Sequence, residues 1–375
     1  MINIIADEKI PFLKGVLEPY ARVSYLNGLD ITPAAVADAD ALLVRTRTRC
    51  DESLLCGSRV KFIATATIGY DHIDTAFCDA SSICWVNAPG CNAASVQQYI
   101  ASALAHIALT SGQALSGKTI GIIGAGHVGQ KVEALASCLG MRLLVNDPPR
   151  ARNEGKDKFV GLEGLLAASD FITLHVPLTV SGEDQTLHLI NRDTLPMVKK
   201  GAWLINTSRG EVVDQSVLKS TIHDGKFAGV VLDVWENEPG VDTELLKMVS
   251  IATPHIAGYS VDGKINGTTH VIRSLAQYFQ LPLEAWKPSA IPTPQNVEIE
   301  LDCAGKSTEM TVLQAIIATY NVVDDDFRFR SDPGSFENLR NTYPARREFP
   351  AFKIRMVNGN DNISMLLLSL GFQVI

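Results

Sequence analysis

Two hydrophobic rhythms alternate along the chain. Short, unbroken apolar runs are what a parallel strand buried on both faces needs. Between them lie longer stretches whose apolar residues recur every third or fourth position, the stripe of a helix packed against a core. In the first part, Ile2–Ala6, Ala41–Val44, Lys61–Ala66 and Ile83–Val86 read as strands and Phe12–Tyr20 as a helix. From Ala93 a long apolar helix runs to about Leu109, where Ser111 and Gly112 stop it. A helix that leaves one alternating unit and enters another marks a domain crossing. The second unit has strands around Ile120–Ile123, Arg142–Asp147, Ser169–Val176, Ala202–Asn206, Gly229–Asp233 and Ser250–Thr253. Its helices are expected at Val132–Leu139, Phe159–Ala168, Thr186–Leu195 (with loop) and Ser216–Asp224. After a helix at Thr268–Phe279, the Pro-rich segment Leu281–Gln295 reads as a linker. The tail is expected to contain strands Val297–Asp302, Phe327–Arg330, Phe352–Val357 and Phe372–Ile375, with helices Ser307–Tyr320, Phe336–Tyr343 and Asn362–Leu370. The pattern predicts an α/β protein with two doubly wound, Rossmann-like parallel-sheet domains and a small C-terminal α/β domain.

One strand-to-helix junction carries a chemical signature. The run ending at Ile123 breaks into Gly124-Ala-Gly126-His127-Val128-Gly129 and then into a helical pattern. Gly124 permits the tight turn, Gly126 lets backbone approach a pyrophosphate, and Gly129 lets helix and strand pack closely. The free N–H groups at the helix start suit phosphate. The next strand ends in Asp147, eighteen residues past Gly129, near the spacing at which a carboxylate meets the adenosine ribose hydroxyls. A negative charge there would repel a ribose 2′-phosphate. The expected cofactor is therefore NAD rather than NADP.

Composition narrows the setting. At 375 residues the chain exceeds one core, and a net charge of −8 argues against a general nucleic-acid surface. An anionic substrate would need a local basic cluster. Seven scattered cysteines contain no CxxC pair, so neither a disulfide framework nor a zinc site is indicated, and no metal is expected. No signal peptide or membrane span is visible, which points to the cytoplasm and to no membrane partner.

Polar residues cluster just past the ends of apolar runs, where open α/β sheets bind ligands. In the second unit, Arg209 follows Asn206, Asp233 and Glu238 follow Val230–Leu232, and His255 follows Pro254. Oxidation of an alcohol needs a base for the hydroxyl proton, and His255 suits that role near neutral pH. Glu238 can hold one nitrogen of its imidazole. Arg209 can grip a carboxylate and polarise the neighbouring oxygen. In the first unit, Arg45-Thr46-Arg47-Thr48-Arg49 follows Ala41–Val44. Extended, the run would set its arginines on one face as an anion site, although an exposed arginine edge serves solubility equally well. The turn containing Thr67 and Gly69 offers hydroxyl and backbone donors.

Six segments in order, VNAPGCNA, GIIGAGHVG, LHVPLT, LINTSRGEVVD, VVLDVWENEP and TPHIAGYS, resemble the D-isomer-specific 2-hydroxyacid dehydrogenases over roughly residues 35–280. The resemblance implies an NAD-binding domain at 94–257 inserted into a substrate domain formed by 1–93 and 258–285. Motif by motif, it assigns catalysis to Arg209, Glu238 and His255. It assigns cofactor contacts to Gly124, Gly126, His127, Val128, Gly129, Asp147, Val176, Thr207, Asp233 and Gly258, with Asp233 and Gly258 near the nicotinamide carboxamide. Val176 stands where a threonine is expected, so a hydroxyl contact to NAD is lost there. Further stretches, ATATIGYDHID, HIAGYSVDGKINGTT and ENLRNTYPARREF, resemble a branch of the family that oxidises a phosphorylated hydroxyacid on the route to pyridoxal 5′-phosphate. That likeness implies substrate contacts at Arg45, Thr46, Arg47, Thr67 and Tyr259, and a homodimer formed through residues 286–375. Arg346 and Arg347 are further candidates for the substrate phosphate, against the alternative of a solvated basic turn. Two other readings stay open at this stage: a related dehydrogenase of another phospho-hydroxyacid, such as 3-phosphoglycerate, and an NAD-sensing binding protein on the same fold.

Overall fold

The computed structural model describes residues 1–155 and 157–375. They form two compact units, one of residues 1–92 with 260–292 and the other of residues 93–259 with 293–375.

The first unit is built on strands β1 (Ile2–Asp7), β2 (Ala21–Leu26), β3 (Ala41–Val44), β4 (Phe62–Thr65) and β5 (Cys84–Val86). All pair in parallel in the order β2-β1-β3-β4-β5. The order reverses between β1 and β3, so the loops after these two strands frame the crevice where such sheets bind ligands. The helix Val261–Phe279 covers one face, with Val271, Ile272, Leu275 and Ala276 buried against Ile4, Leu43, Phe62 and Ala64.

The expected helix at Phe12–Tyr20 does not form. Phe12 (φ +62°) and Gly15 (φ +86°) take left-handed conformations that interrupt it, and the segment descends as successive turns. Leu13 and Leu17, whose spacing suggested the helix, are nevertheless fully buried. Strand β2 was not expected, because Arg22 and Ser24 interrupt its apolar residues; it is the edge of the sheet and half of it faces water.

The second unit carries strands β6 (Thr119–Ile123), β7 (Arg142–Asn146), β8 (Phe171–Leu174), β9 (Ala202–Asn206), β10 (Phe227–Leu232) and β11 (Ile251–Ala252). They form a parallel sheet in the order β11-β10-β9-β8-β6-β7, reversing between β6 and β8. The tail adds a three-stranded parallel sheet of β12 (Glu298–Asp302), β13 (Lys353–Val357) and β14 (Gln373–Val374).

This tail is a small α/β domain, yet it shares a core with the six-stranded domain. Ile299, Val312, Ile316, Ile354 and Leu367 belong to one apolar cluster with Val96, Ile100, Leu104 and Leu135. The helix Ala93–Ser111 lies within that cluster, which accounts for its apolar character all round. Three of its polar residues bind the tail: Ser102 Oγ donates to Tyr320 O at 2.8 Å, Gln98 Nε2 to Arg347 O at 2.9 Å and Ser95 Oγ to Glu348 Oε1 at 2.8 Å.

Phe327–Arg330, expected as a strand, lies inside the helix Val322–Ser331. Alternating Phe and Arg suggested a strand, but the sequence also spaces opposite charges for a helix. Arg328 pairs with Asp325 at 2.8 Å and Arg330 with Asp326 at 2.8 Å, while Asn321 caps the start. Phe329 is buried and Phe327 is 72% exposed.

Candidate active site

Strand β6 delivers the glycine turn to the switch point of the six-stranded sheet. Gly124 has φ +92°, and a Cβ there would lie 2.5 Å from His175 O, so backbone meets backbone across β6 and β8. A Cβ on Gly129 would lie 2.0 Å from Gly124 O, which fixes how closely the helix His127–Cys138 sits on its own turn. At Gly126, the N-cap of that helix, a Cβ would meet open space. With no side chain capping the helix, its first N–H groups are presented to whatever occupies that space. His127 and Val128 form the first turn.

Asp147, at the end of β7, is bound more tightly than a ribose acceptor alone requires. Its Oδ2 accepts from Ala125 N at 2.8 Å and its Oδ1 from Arg150 N at 3.1 Å, capping the helix Pro148–Glu154. The carboxylate therefore also holds the glycine turn in place. Val176 and Thr207 follow β8 and β9. Among the described residues the buried hydroxyl of Thr207 has no partner, nor has Nδ1 of His175, whose Nε2 lies 2.9 Å from Thr173 Oγ1. Burial pushes the His175 pKa down to about 3, so its ring is neutral.

Arg209 follows β9, Asp233 and Glu238 follow β10, and His255 follows β11, three neighbouring strands of one sheet, and His255 contacts both Glu238 and Asp233. Asn206 sets the turn of Arg209: its Nδ2 donates to Arg209 O at 2.8 Å, and its Oδ1 accepts from the Ser208 N–H and hydroxyl. Arg209 Nη1 donates to Ser208 O at 2.8 Å. His255 Nδ1 lies 2.7 Å from Glu238 Oε2, and Trp235 N donates to Glu238 Oε1 at 3.0 Å. Burial works to raise the Glu238 pKa, but His255, the Trp235 N–H and the nearby Arg340 charge together hold it below its ordinary value. A carboxylate so held keeps Nδ1 protonated and leaves Nε2 of the neutral ring as the basic nitrogen.

His255 itself has φ +56°, an uncommon conformation for a side chain of this size. Asp233 supplies the restraint. Its backbone oxygen accepts from His255 N at 2.6 Å, and its carboxylate accepts from Ile256 N (2.7 Å), Ala257 N (2.8 Å) and Thr253 Oγ1 (2.6 Å). Asp233, expected beside the nicotinamide carboxamide, is 1% exposed and spends its oxygens on this loop. Burial pushes its carboxyl upward, opposed by His255 and these donors.

The tail grips the same loop from behind. Arg346, a candidate for the substrate phosphate from sequence, is 7% exposed rather than part of a solvated turn, and its Nε and Nη1 have no hydrogen-bond partner among the described residues. Its Nη2 donates to Ala257 O and, at 3.4 Å, to Ser95 O, while its guanidinium lies 4.4 Å from the centre of the Tyr320 ring. Burial opposes its charge, but Tyr343, Tyr320 and Asp325 keep it protonated. Asp326 Oδ1 accepts from Ala252 N at 2.6 Å, and Arg330 donates to Leu246 O and Val249 O. Asn206 and these tail contacts were missed because nothing in their local sequence pattern marks them. Tyr259, just past Gly258, packs edge-on against Tyr343 at 5.8 Å and beneath the Arg340 guanidinium at 5.6 Å.

In the five-stranded unit, residues 45–49 form a turn rather than extended chain, so the arginines do not share one strand face. Thr48 N donates to Arg45 O, and the buried Thr48 hydroxyl donates to Gly28 O at 2.9 Å. Arg45 Nη1 reaches Lys9 O across the switch point of that sheet, Arg49 pairs with Asp51, and Thr46 and Arg47 are exposed. On the neighbouring strand end, the Thr67 hydroxyl lies 2.7 Å from that of Thr65 and donates to Gly69 O at 2.8 Å.

Comparison with known proteins decides among dehydrogenases. Residues 94–257 match the family model of the D-isomer specific 2-hydroxyacid dehydrogenase NAD binding domain. The chain is 46% identical over 354 residues to an erythronate-4-phosphate dehydrogenase of Bacteroides fragilis, covering 94% of this chain and 99% of that one. The chain belongs to the erythronate-4-phosphate dehydrogenase family. A relative of that name from Proteus mirabilis is 39% identical over 374 residues, 99% of each chain, so the likeness includes the tail. Residues 291–371 match a second model, described as a domain of unknown function. Among solved structures, a D-lactate dehydrogenase from Aquifex aeolicus complexed with NAD and lactic acid superposes with a TM-score of 0.63 at 27% identity. That match covers 75% of this chain and 96% of the other.

The protein is thus an NAD-dependent dehydrogenase. Its residues fit the cofactor: the uncapped helix start at Gly126 suits a pyrophosphate, and the orphaned Thr207 hydroxyl lies buried at a neighbouring strand end. Among the described residues no helix is long and apolar enough to cross a membrane.

Proposed function

We propose that this dehydrogenase oxidises 4-phospho-D-erythronate at C2 to 2-oxo-3-hydroxy-4-phosphobutanoate, on the route to pyridoxal 5′-phosphate. The observation that carries the chemistry is the 2.7 Å His255–Glu238 pair on a loop held by Asp233. Bound NAD supplies the acceptor for the C2 hydride. His255 Nε2 takes the C2 hydroxyl proton as the hydride leaves, and Glu238 stabilises the resulting imidazolium through Nδ1. Arg209 binds the C1 carboxylate and polarises the C2 oxygen as it becomes a carbonyl. Gly124, Gly126, His127, Val128 and Gly129 cradle the pyrophosphate, Asp147 takes the ribose, and Val176, Thr207, Asp233 and Gly258 line the nicotinamide half. Arg45, Thr46, Arg47, Thr67 and Tyr259 are assigned to substrate.

Support for this substrate, over an unphosphorylated hydroxyacid, comes from relatives of this name matched along the tail as well as the core. The domain boundaries expected from sequence and a homodimer through residues 286–375 belong to the same reading. Exposed Met365, Leu368 and Ile375 give the tail apolar surface for a second copy. Seven free cysteines accord with a reducing cytoplasm.

The test is turnover of 4-phospho-D-erythronate against 3-phosphoglycerate, with NAD and a 2-oxoacid acceptor present. A higher kcat/KM for the four-carbon substrate is expected. Preference for 3-phosphoglycerate would overturn the assignment.

A further inference from the structure

The substrate proposed above carries a phosphate two carbons beyond the reacting C2, and a second cation must meet it if Arg209 is spent on the carboxylate. Arg346 leaves two donors without a partner among the described residues, Nε and Nη1, but at 7% exposed and held to Ala257 O it is closed off. Arg347 has a partner of its own, and the other arginines of the tail can be compared by what their donors already do. Arg330 is committed to Asp326 and two backbone oxygens, and Arg328 to Asp325. Arg355 pairs with Glu298 across neighbouring strands of the three-stranded sheet.

Arg340 differs. It sits on the short helix Phe336–Asn341, and its guanidinium lies 5.6 Å from the Tyr259 ring centre and 5.5 Å from that of Phe336. Both rings lie within cation–π reach and restrain the group, whose N–H donors remain available to an acceptor. Its ion pair with Glu337 is loose, at 3.6 Å from Nη1. Its Nε is buried and has no hydrogen-bond partner among the described residues, although the side chain as a whole is 16% exposed. An arginine with a buried, unspent donor costs free energy unless something completes it. Its charge is also felt at Glu238, which places it within electrostatic reach of the catalytic pair.

We propose that Arg340, contributed by the tail and aligned on Tyr259, binds the phosphate of the substrate and sets the preference for phosphorylated hydroxyacids. This rests on the reading of the site given above. A dianionic phosphate takes two N–H donors from one guanidinium edge, which an ammonium cannot reproduce. Arg340 lies in the segment 291–371 that matches a model of its own, apart from the NAD-binding domain at 94–257.

The experiment measures kcat/KM for a phosphorylated hydroxyacid and its unphosphorylated counterpart, 4-phospho-D-erythronate and D-erythronate, in wild type, Arg340→Gln and Arg340→Lys, with thermal unfolding as a check on folding. Arg340→Gln should lose roughly 10- to 100-fold on the phosphorylated substrate, the scale of a hydrogen bond to a charged group. It should change less than about threefold on D-erythronate. Arg340→Lys should recover only part of the loss. Inorganic phosphate should compete with the phosphorylated substrate in wild type, and its inhibition constant should rise in Arg340→Gln. Equal losses on both substrates would mean that Arg340 merely positions Tyr259, and would overturn the proposal. If wild type favours another phospho-hydroxyacid, the four-carbon assignment falls while the same ratio, measured with that pair, still judges Arg340. If wild type favours unphosphorylated substrates, both fall.

Discussion

Replacing Arg346 with methionine tests whether the tail is part of the active-site scaffold. The buried guanidinium donates to Ala257 O, two residues past His255, and stacks on Tyr320 at 4.4 Å. Losing a charge-assisted hydrogen bond costs about 1.5–3 kcal/mol, and losing a desolvated cation–π contact about 1–2 kcal/mol more. Against this, methionine fills much of the volume and removes the cost of burying a charge. The net expectation is a destabilisation of about 3 kcal/mol, read from urea unfolding of wild type and variant. For a unit of this size that corresponds to a fall in Tm of roughly 6–12 °C. Because Ala257 O lies on the loop that carries His255, the proposed base, kcat should fall several-fold at temperatures where the variant is folded, while NAD titrated by fluorescence binds as in wild type. A loss below about 1 kcal/mol with unchanged kcat would refute the reasoning, since the tail would then hold the loop by apolar contacts alone.

Three further outcomes follow from the site. Thr207→Val removes a buried hydroxyl that has no partner among the described residues, so the protein without cofactor should be as stable as wild type or more so, whereas the KM for NAD should rise; a variant with lowered stability and unchanged KM would give the hydroxyl a purely structural task. Asp147→Ser keeps a capping oxygen for the helix Pro148–Glu154 but removes the charge, so discrimination against NADP should shrink, and an unchanged NAD-to-NADP ratio would remove Asp147 from the ribose site. Glu238 has a folded pKa below its ordinary 4.5, so its contribution to stability is present above that pH and is lost as pH falls through the lowered value. The stability gap between wild type and Glu238→Gln should accordingly narrow on acidification from pH 6 to pH 3, and a gap that widens would contradict the direction of the shift.

Sequence exposed the parts of this protein whose constraints are local. Gly124, Gly126 and Gly129 are readable because a turn, an open helix start and a close contact each need the absence of a Cβ. Arg209, Glu238 and His255 are readable because parallel strands deliver their C-terminal ends to one edge. What escaped was long-range. The Arg45–Arg49 run looks extended by alternation, but the buried hydrogen bond of Thr48 to Gly28 bends it into a turn. Arg346 and Arg340 lie six residues apart in one basic stretch, and no local pattern says which is buried. Their fates are decided by Ala257 and Tyr259, residues 89 and 81 positions earlier in the chain. Phe327–Arg330 misled because two periodicities overlap there, and the ion pairs with Asp325 and Asp326 select the helical one.

The order of segments in the first unit has a consequence for synthesis. Its five strands are all made by residue 86, yet the helix that covers Ile4, Leu43, Phe62 and Ala64 is completed only at Phe279. At 5–20 residues per second, a ribosome needs roughly ten to forty seconds to supply it. Throughout that interval the nascent sheet carries an uncovered apolar face, while the dinucleotide-binding domain emerges behind it. The face formed by Ile4, Leu43, Phe62 and Ala64 can therefore be covered only after every strand of the six-stranded sheet has been made.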